Sequence, residues 1–195
     1  MPTMNQAKEG IKIKMVRDNL DNIPCYRLPS EYSIQWYKKG YEKFWLDIHL
    51  KAEIYEEITP ERFISEFGTD TKLLAQRQCF IFGRDKNVVG TATAWFNDNY
   101  NGQKYGRVHW VAIVPQMQGQ GLAKPLMTCV CNRLRDLGHN RAYLNTLTAR
   151  IPAIDLYLKF GFVPQISSAE ELDIWRKLQK KLKVPPNLST FETEL

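Results

Sequence analysis

The sequence predicts an α/β domain built on a mixed sheet, and three observations carry that prediction. Alternating and β-branched stretches intersperse with helical periodicities in the order strand, two helices, three strands, helix, strand, helix. A hairpin feeds directly into a strand–helix–strand unit. The helical segments are bracketed by the expected signals, proline or a capping residue at the start and glycine at the end. At 195 residues, with 44% hydrophobic and 25% charged side chains, the chain suits one domain with a substantial core.

Ile11–Val16 alternates apolar and polar residues and reads as an edge strand guarded by its lysines. Pro24 and Pro29 mark an irregular connector, and Tyr32–Tyr37 is a β-rich strand. From Tyr41 to Glu57, Phe44, Trp45, Ile48, Ala52 and Tyr55 recur at helical steps. Thr59 as N-cap and Pro60 at the first helical position open a second helix, which Gly68 closes. Cys79–Gly83 and Val88–Phe96 flank a turn at Arg84–Asn87; a polar loop, Asn97–Gly102, then leads to a strand over Arg107–Val114. Leu122, Leu126, Val130, Leu134 and Leu137 trace one face of a helix over Gly121–Leu137, which Gly138 ends. Ala142–Leu147 reads as a buried strand and Pro152–Phe160 as a short helix before Gly161. Ser168 and Glu171 form a capping box for a last helix with Leu172, Trp175, Leu178 and Leu182 on one face. Pro185-Pro186 is expected to halt that helix, and the acidic tail to Leu195 to be mobile. The expected partition is an N-terminal extension over 1–29, the main domain over 30–165, and a helix with tail over 166–195.

The net charge of +6 comes from lysines and arginines dispersed among acidic residues, so it argues for a solvated surface or a phosphate-bearing small ligand rather than nucleic acid. No apolar run is long enough to span a bilayer, and Met1–Gly10 lacks the apolar core of a secretory signal; the expected location is cytoplasmic. Cys25, Cys79, Cys129 and Cys131 have neither disulfide-framework nor zinc spacing, so no metal is expected.

Gln116-Met-Gln-Gly-Gln-Gly121 lies between a β-branched strand and an amphipathic helix. Glycines there free the backbone for positive φ and close approach to a ligand. The first amides of the following helix lack internal partners, and the helix dipole adds partial positive charge. Together they suit a pyrophosphate, with Lys124 one turn in as a further cation. Two glycines alone fit a plain helix-capping turn equally well.

Val111-Ala-Ile-Val-Pro115 leads into this Q-x-x-G-x-G, and Ala153-Ile-Asp-Leu-Tyr157-Leu-Lys-Phe-Gly161-Phe162 follows about thirty residues later. As a pair in this order, over roughly Tyr32–Pro164, these motifs resemble the GNAT superfamily of N-acetyltransferases. The resemblance implies a mostly antiparallel mixed sheet, splayed at its central parallel strands and flanked by helices. It implies acetyl-CoA as cosubstrate, with backbone amides of Gln118, Gly119, Gly121, Leu122 and Ala123 on the pyrophosphate. Free backbone groups of Ile113 and Val114 would pair with the pantetheine arm, and the Ile113 N–H would face the thioester oxygen. Asn145, Lys124 and Arg150 complete the implied cofactor set. Arg150 stands where family members often carry asparagine, which leaves it the alternatives of a CoA phosphate or the substrate. Pro125 is a second departure, placed early in its helix, where losing an N–H costs little.

Acyl transfer to an amine needs a base, an oxyanion donor and an acid for the departing thiolate. Tyr157 matches the family's tyrosine near the CoA sulfur. His109 is the candidate base, since an imidazole titrates near neutrality and ordinary alternation over four residues puts it on the same face as Ile113; a hydrogen-bonded structural histidine next to Trp110 is the alternative. It also resembles the second of two strand histidines in aralkylamine acetyltransferases, with Arg107 at the other position. His49 and His139 read as surface histidines, and Asp98 as a rival base within reach. The expected acceptor is a small-molecule amine rather than a protein; an acyl-CoA-binding sensor without catalysis is the alternative on the same scaffold. The exposed edge and the terminal helices are candidate surfaces for a homodimer.

Overall fold

A computed structural model describes residues 10–192. The start of the polar N-terminal stretch and the last residues of the acidic tail lie outside the described residues. The described chain forms two compact units, residues 20–140 and residues 10–19 with 141–192.

In the first unit, β2 (Ser33–Trp36), β3 (Gln78–Phe82), β4 (Val88–Tyr100) and β5 (Gln103–Ile113) form an antiparallel sheet in that order. Helices α1 (Glu42–Ala52) and α2 (Pro60–Phe67) cover one face with aromatic contacts: Tyr41 on Phe80, Phe44 on Phe82, and Phe67 on Trp95. Trp45 and Ile48 are fully buried beneath α1. The Thr59 hydroxyl caps α2 by accepting from the Arg62 N–H at 3.1 Å, and Gly68 ends it at φ +70°, as the sequence predicts.

Helix α3 (Thr71–Arg77) is an addition to the predicted order. Asp70 caps it by accepting from the Lys72 and Leu73 amides, and the chain passes straight from Arg77 into β3. The hairpin after β4 is also tighter than the expected polar loop. Asn101 and Gly102, both at positive φ (52° and 76°), make a two-residue turn, and the ladder closes on Tyr100 opposite Gln103. The polar Asn97–Asn99 stretch continues β4 at its exposed end.

The opposite sheet face carries α4 (Ala123–Asp136). A Cβ on Gly106 would sit 2.9 Å from Leu134, so the glycine lets this helix approach β5.

In the second unit, β1 (Lys12–Arg17) pairs antiparallel along its whole length with β6 (Ala142–Leu147) and, at Met15 and Val16, with β7 (Val163–Pro164). It is therefore flanked on both sides rather than lying at an edge, which its buried Ile13 and Met15 reflect. Helix α5 (Ile151–Lys159) runs up to Gly161, at φ +73°. Helix α6 (Ala169–Gln179) starts from Ser168, whose hydroxyl accepts from the Glu171 N–H. The Glu171 carboxylate reaches back to Ser167 rather than to the cap residue itself. Leu172, Trp175 and Leu178 are buried as predicted, but α6 ends at Gln179, before the prolines can terminate it. The segment beyond is anchored rather than loose. Lys183 donates its N–H to Asp155, Gln179 donates to the Pro186 carbonyl, and Leu188 is buried; a short α7 (Ser189–Glu192) follows. Among the described residues no helix is long and apolar enough to cross a membrane.

Candidate active site

The glycine segment lies at the end of β5. Val114 donates to the Val89 carbonyl at 2.9 Å and its own carbonyl accepts from Met117, so both its backbone groups are engaged, contrary to the expectation that they are free. Backbone groups alternate sides along a strand, which turns the Ile113 N–H and C=O away from β4. The Ile113 carbonyl accepts from the Gln118 side chain at 3.0 Å. The Gln118 amide is likewise occupied, donating to Pro115 in a single 3₁₀ turn, so Gln118 braces the strand end with its side chain instead of offering its N–H.

Gly119 and Gly121 stand at φ +77° and +80°, with open space where a Cβ would project. Helix α4 begins with no side-chain cap at Leu122, and its first intrahelical bond closes only at Leu126. The amides of Leu122, Ala123 and Lys124 therefore lie at an uncapped positive helix end. Pro125 falls where an N–H would have no intrahelical partner, which explains why the helix tolerates it. The Gln120 amide group donates to the Gln116 carbonyl, and the Tyr32 hydroxyl lies 3.0 Å from the Gln120 carbonyl oxygen, so the loop is held by the residue that precedes β2. Lys124 lies over the Tyr26 ring at 5.1 Å.

At the other end of the same strand segment, His109 departs from the predicted geometry. Thr91 pairs with Ala112 and Thr93 with His109, so β5 carries one extra residue between those pairs. Trp110, at φ +48°, lies in this bulge. Ile113 opposes Gly90 and Val108 opposes Ala94, whereas His109 opposes Thr93 and Arg107 opposes Trp95. The bulge therefore puts His109 and Ile113 on opposite faces, where uninterrupted alternation would have kept them together.

On its own face the imidazole packs edge-on against Phe67, with Nε2 2.8 Å from the Glu66 carboxylate of α2. Burial pushes the His109 pKa down to about 4 against the opposing pull of Glu66, while the hydrogen bond from His109 holds the Glu66 carboxyl down at about 2. At neutral pH the pair is thus a neutral imidazole donating Nε2–H to a carboxylate. Arg62 engages the second Glu66 oxygen at 3.1 Å, pairs with Glu56, and lies over the Trp110 ring. It also lines an open cleft of about 510 Å³ together with Glu56, Glu57, Thr59, Glu61 and Ser65. Glu66 was not legible as a site residue; its position three after Phe63 on an amphipathic helix was the available signal.

Three side readings change. His49 is buried, packed between Trp45 and Trp110, because it lies one turn along α1 from Trp45. His139 is buried too, stacked on Phe96, and burial with nearby Arg77 and Lys104 depresses its pKa to about 4. Asp98 lies opposite Lys104 at the hairpin end, nine residues or roughly 30 Å along β5 from Ile113, which removes it as a base.

In the second unit, Tyr157 of α5 is buried against Phe162, and burial raises its phenol to about 12, with Arg150 pulling the other way. Arg150 is the N-cap residue of α5. The Asn145 carbonyl oxygen on β6 is buried with no hydrogen-bond partner among the described residues. Within its own unit that orphaned acceptor suits an amide donor, and in the other unit the open amides of the glycine loop suit a phosphate. Among the described residues no group of His, Cys, Asp and Glu is arranged to hold a metal.

A bulged antiparallel strand that ends in a glycine turn at an uncapped helix start is the frame of a CoA-dependent N-acyltransferase fold. The chain belongs to the acetyltransferase (GNAT) family, which matches residues 31–162. It is 37% identical over 78 residues to N-acetyltransferase 8B of Rattus norvegicus, covering 40% of this chain and 35% of that protein. It is 28% identical over 127 residues to N-acetyltransferase 8B of Homo sapiens, covering 64% and 51%. The mycothiol acetyltransferase of Pseudarthrobacter chlorophenolicus is 39% identical over 57 residues, 29% of this chain and 18% of that one. The matches thus span about half or less of these relatives. Among solved structures, a GCN5-related N-acetyltransferase from Sphaerobacter thermophilus superposes with a TM-score of 0.65 at 19% identity, over 79% of this chain and 48% of that one. The ribosomal-protein-S18-alanine N-acetyltransferase of Escherichia coli gives 0.57 at 18%, over 69% and 79%.

Proposed function

We propose that this protein transfers an acetyl group from acetyl-CoA to a primary amine by direct attack, and that the acceptor is a small molecule. The observation that carries the reading is the loop of two positive-φ glycines opening onto the uncapped start of α4. There the amides of Gly119, Gly121, Leu122 and Ala123 bind the pyrophosphate, with Lys124 adding charge. Asn145 takes a pantetheine amide on its orphaned oxygen, and Arg150 contributes a cation from the start of α5.

His109 takes a proton from the ammonium form of the acceptor, leaving the nitrogen lone pair to attack the thioester carbon. The Ile113 N–H, turned away from β4, donates to the oxygen as it gains charge. As the C–S bond breaks, Tyr157 gives its proton to the departing thiolate, and the tyrosinate recovers one from the amide nitrogen. A phenol raised to about 12 stays protonated until that moment. The acidic lining of the open cleft beside α2, Glu56, Glu57 and Glu61, supports a small cationic acceptor. One relative is named for mycothiol and one structural neighbour for an alanine of a ribosomal protein, so the acceptor class rests on the cleft and not on likeness. A cytoplasmic setting belongs to the same proposal, with all four cysteines present as thiols.

The test is thiol release from acetyl-CoA across small primary amines, peptides with free N-termini, and lysine peptides. Release confined to small amines and slowed by Tyr157→Phe is expected. Full turnover in Tyr157→Phe would overturn the acid assignment, and release only with peptides would overturn the acceptor class.

A further inference from the structure

We propose that Glu66 is a positioning residue that fixes His109 in the tautomer protonated on Nε2, leaving Nδ1 as the ring's only proton acceptor. The inference rests on the reading of His109 as the base. A carboxylate can only accept, so the ring nitrogen 2.8 Å from it must carry the hydrogen. The carboxylate is itself held: one oxygen meets His109 and the other meets Arg62 at 3.1 Å. Phe67 and Trp110 pack around the ring, which limits its rotation. The bulge at Trp110 follows His109 and sets it, on the face that α2 covers, apart from Ile113 on the other face.

The charges facing the ring are Glu66 and Arg62 from α2 and Arg107 from its own strand. Glu66 is the one that favours a protonated ring. When an R–NH₃⁺ acceptor loses a proton, its N–H bond breaks and an N–H bond forms at Nδ1. The resulting imidazolium shares its Nε2–H with the carboxylate, and the Nδ1 proton later passes to water. The Glu66 side chain is 19% exposed and that of His109 8%, so the pair lies just beneath the surface that Arg62 and Glu56 reach.

The experiment uses the full chain labelled with ¹⁵N-histidine, with His109 assigned by its loss in His109→Gln. Long-range ¹H–¹⁵N correlation should show the Nε2–H tautomer in the wild type and a mixture in Glu66→Gln. Kinetics use acetyl-CoA with spermidine or 2-phenylethylamine, whichever releases thiol faster. Glu66→Gln should lower kcat about 10- to 100-fold with the acetyl-CoA KM unchanged. Glu66→Asp should restore part of that loss, and Glu66→Gln/His109→Gln should be no slower than His109→Gln alone. An Nδ1–H tautomer in the wild type overturns the proposal even if no variant folds. Additive losses in the double variant overturn it as well. If His109→Gln turns over normally, the base reading itself fails; if His109→Gln is slow while Glu66→Gln is not, only the role of Glu66 falls.

Discussion

Replacing Gly121 by alanine separates the cost of a backbone strain from the loss of a ligand. At φ +80° an alanine is strained, by about 1–2 kcal/mol for a left-handed residue. It meets nothing within 4 Å, so no clash adds to that cost. For a chain of this size, about 1–2 kcal/mol lowers Tm by roughly 2–8 °C. In the proposed complex the Gly121 amide binds the pyrophosphate, so the added methyl and its backbone strain are expected to weaken binding. With acetyl-CoA at about a hundred times its wild-type Kd, the ligand should stabilise the wild type by about 2.7 kcal/mol. If the methyl weakens binding about thirtyfold, the same concentration yields only about 0.9 kcal/mol in the variant. Differential scanning fluorimetry with and without ligand reads both effects. A Gly121→Ala protein that loses Tm but keeps the full wild-type ligand shift would refute the assignment of this loop.

Other perturbations probe the frame and its charges. Thr59→Ala should cost about 1 kcal/mol in urea unfolding, because the hydroxyl cap of α2 is lost. Trp45→Ala should cost about 3–5 kcal/mol, since the ring is fully buried among Phe63, Phe67 and Trp110. His109 and His139 have folded pKa values near 4, below the ordinary 6.5, so the unfolded chain binds protons first as pH falls. Stability should therefore drop from pH 6.5 toward 4, by up to about 1.4 kcal/mol per pH unit for each histidine. His139→Gln should flatten that slope; an unchanged slope would contradict the buried, neutral state of the ring.

The sequence made the regular parts legible because their signals are local. Thr59-Pro60 and Gly68, Ser168 and Glu171, and the strand Ala142–Leu147 are all where the chain is punctuated for them. Where tertiary context decides, local reading failed. The Asn101-Gly102 turn lay inside a polar stretch that read as a loop, and α3 is a seven-residue helix whose Asp70 cap was the one clear signal. The bulge at Trp110 has no glycine to announce it, so plain alternation predicts His109 and Ile113 on one face, whereas the ladder sets them on opposite faces. In the loop, the glycines and the helix start were readable from motif alone, but the engagement of Val114 and Gln118 depends on a 3₁₀ turn that no periodicity shows. Glu66 was hidden because a carboxylate on an amphipathic helix ordinarily means solvent.

The most direct test of acetyl-CoA binding at the start of α4 is a ¹H–¹⁵N titration of the protein with acetyl-CoA. Saturable shifts concentrated on the amides of Gly119, Gly121, Leu122 and Ala123 are predicted. Amide resonances of these four residues that stay in place at millimolar acetyl-CoA would contradict the account.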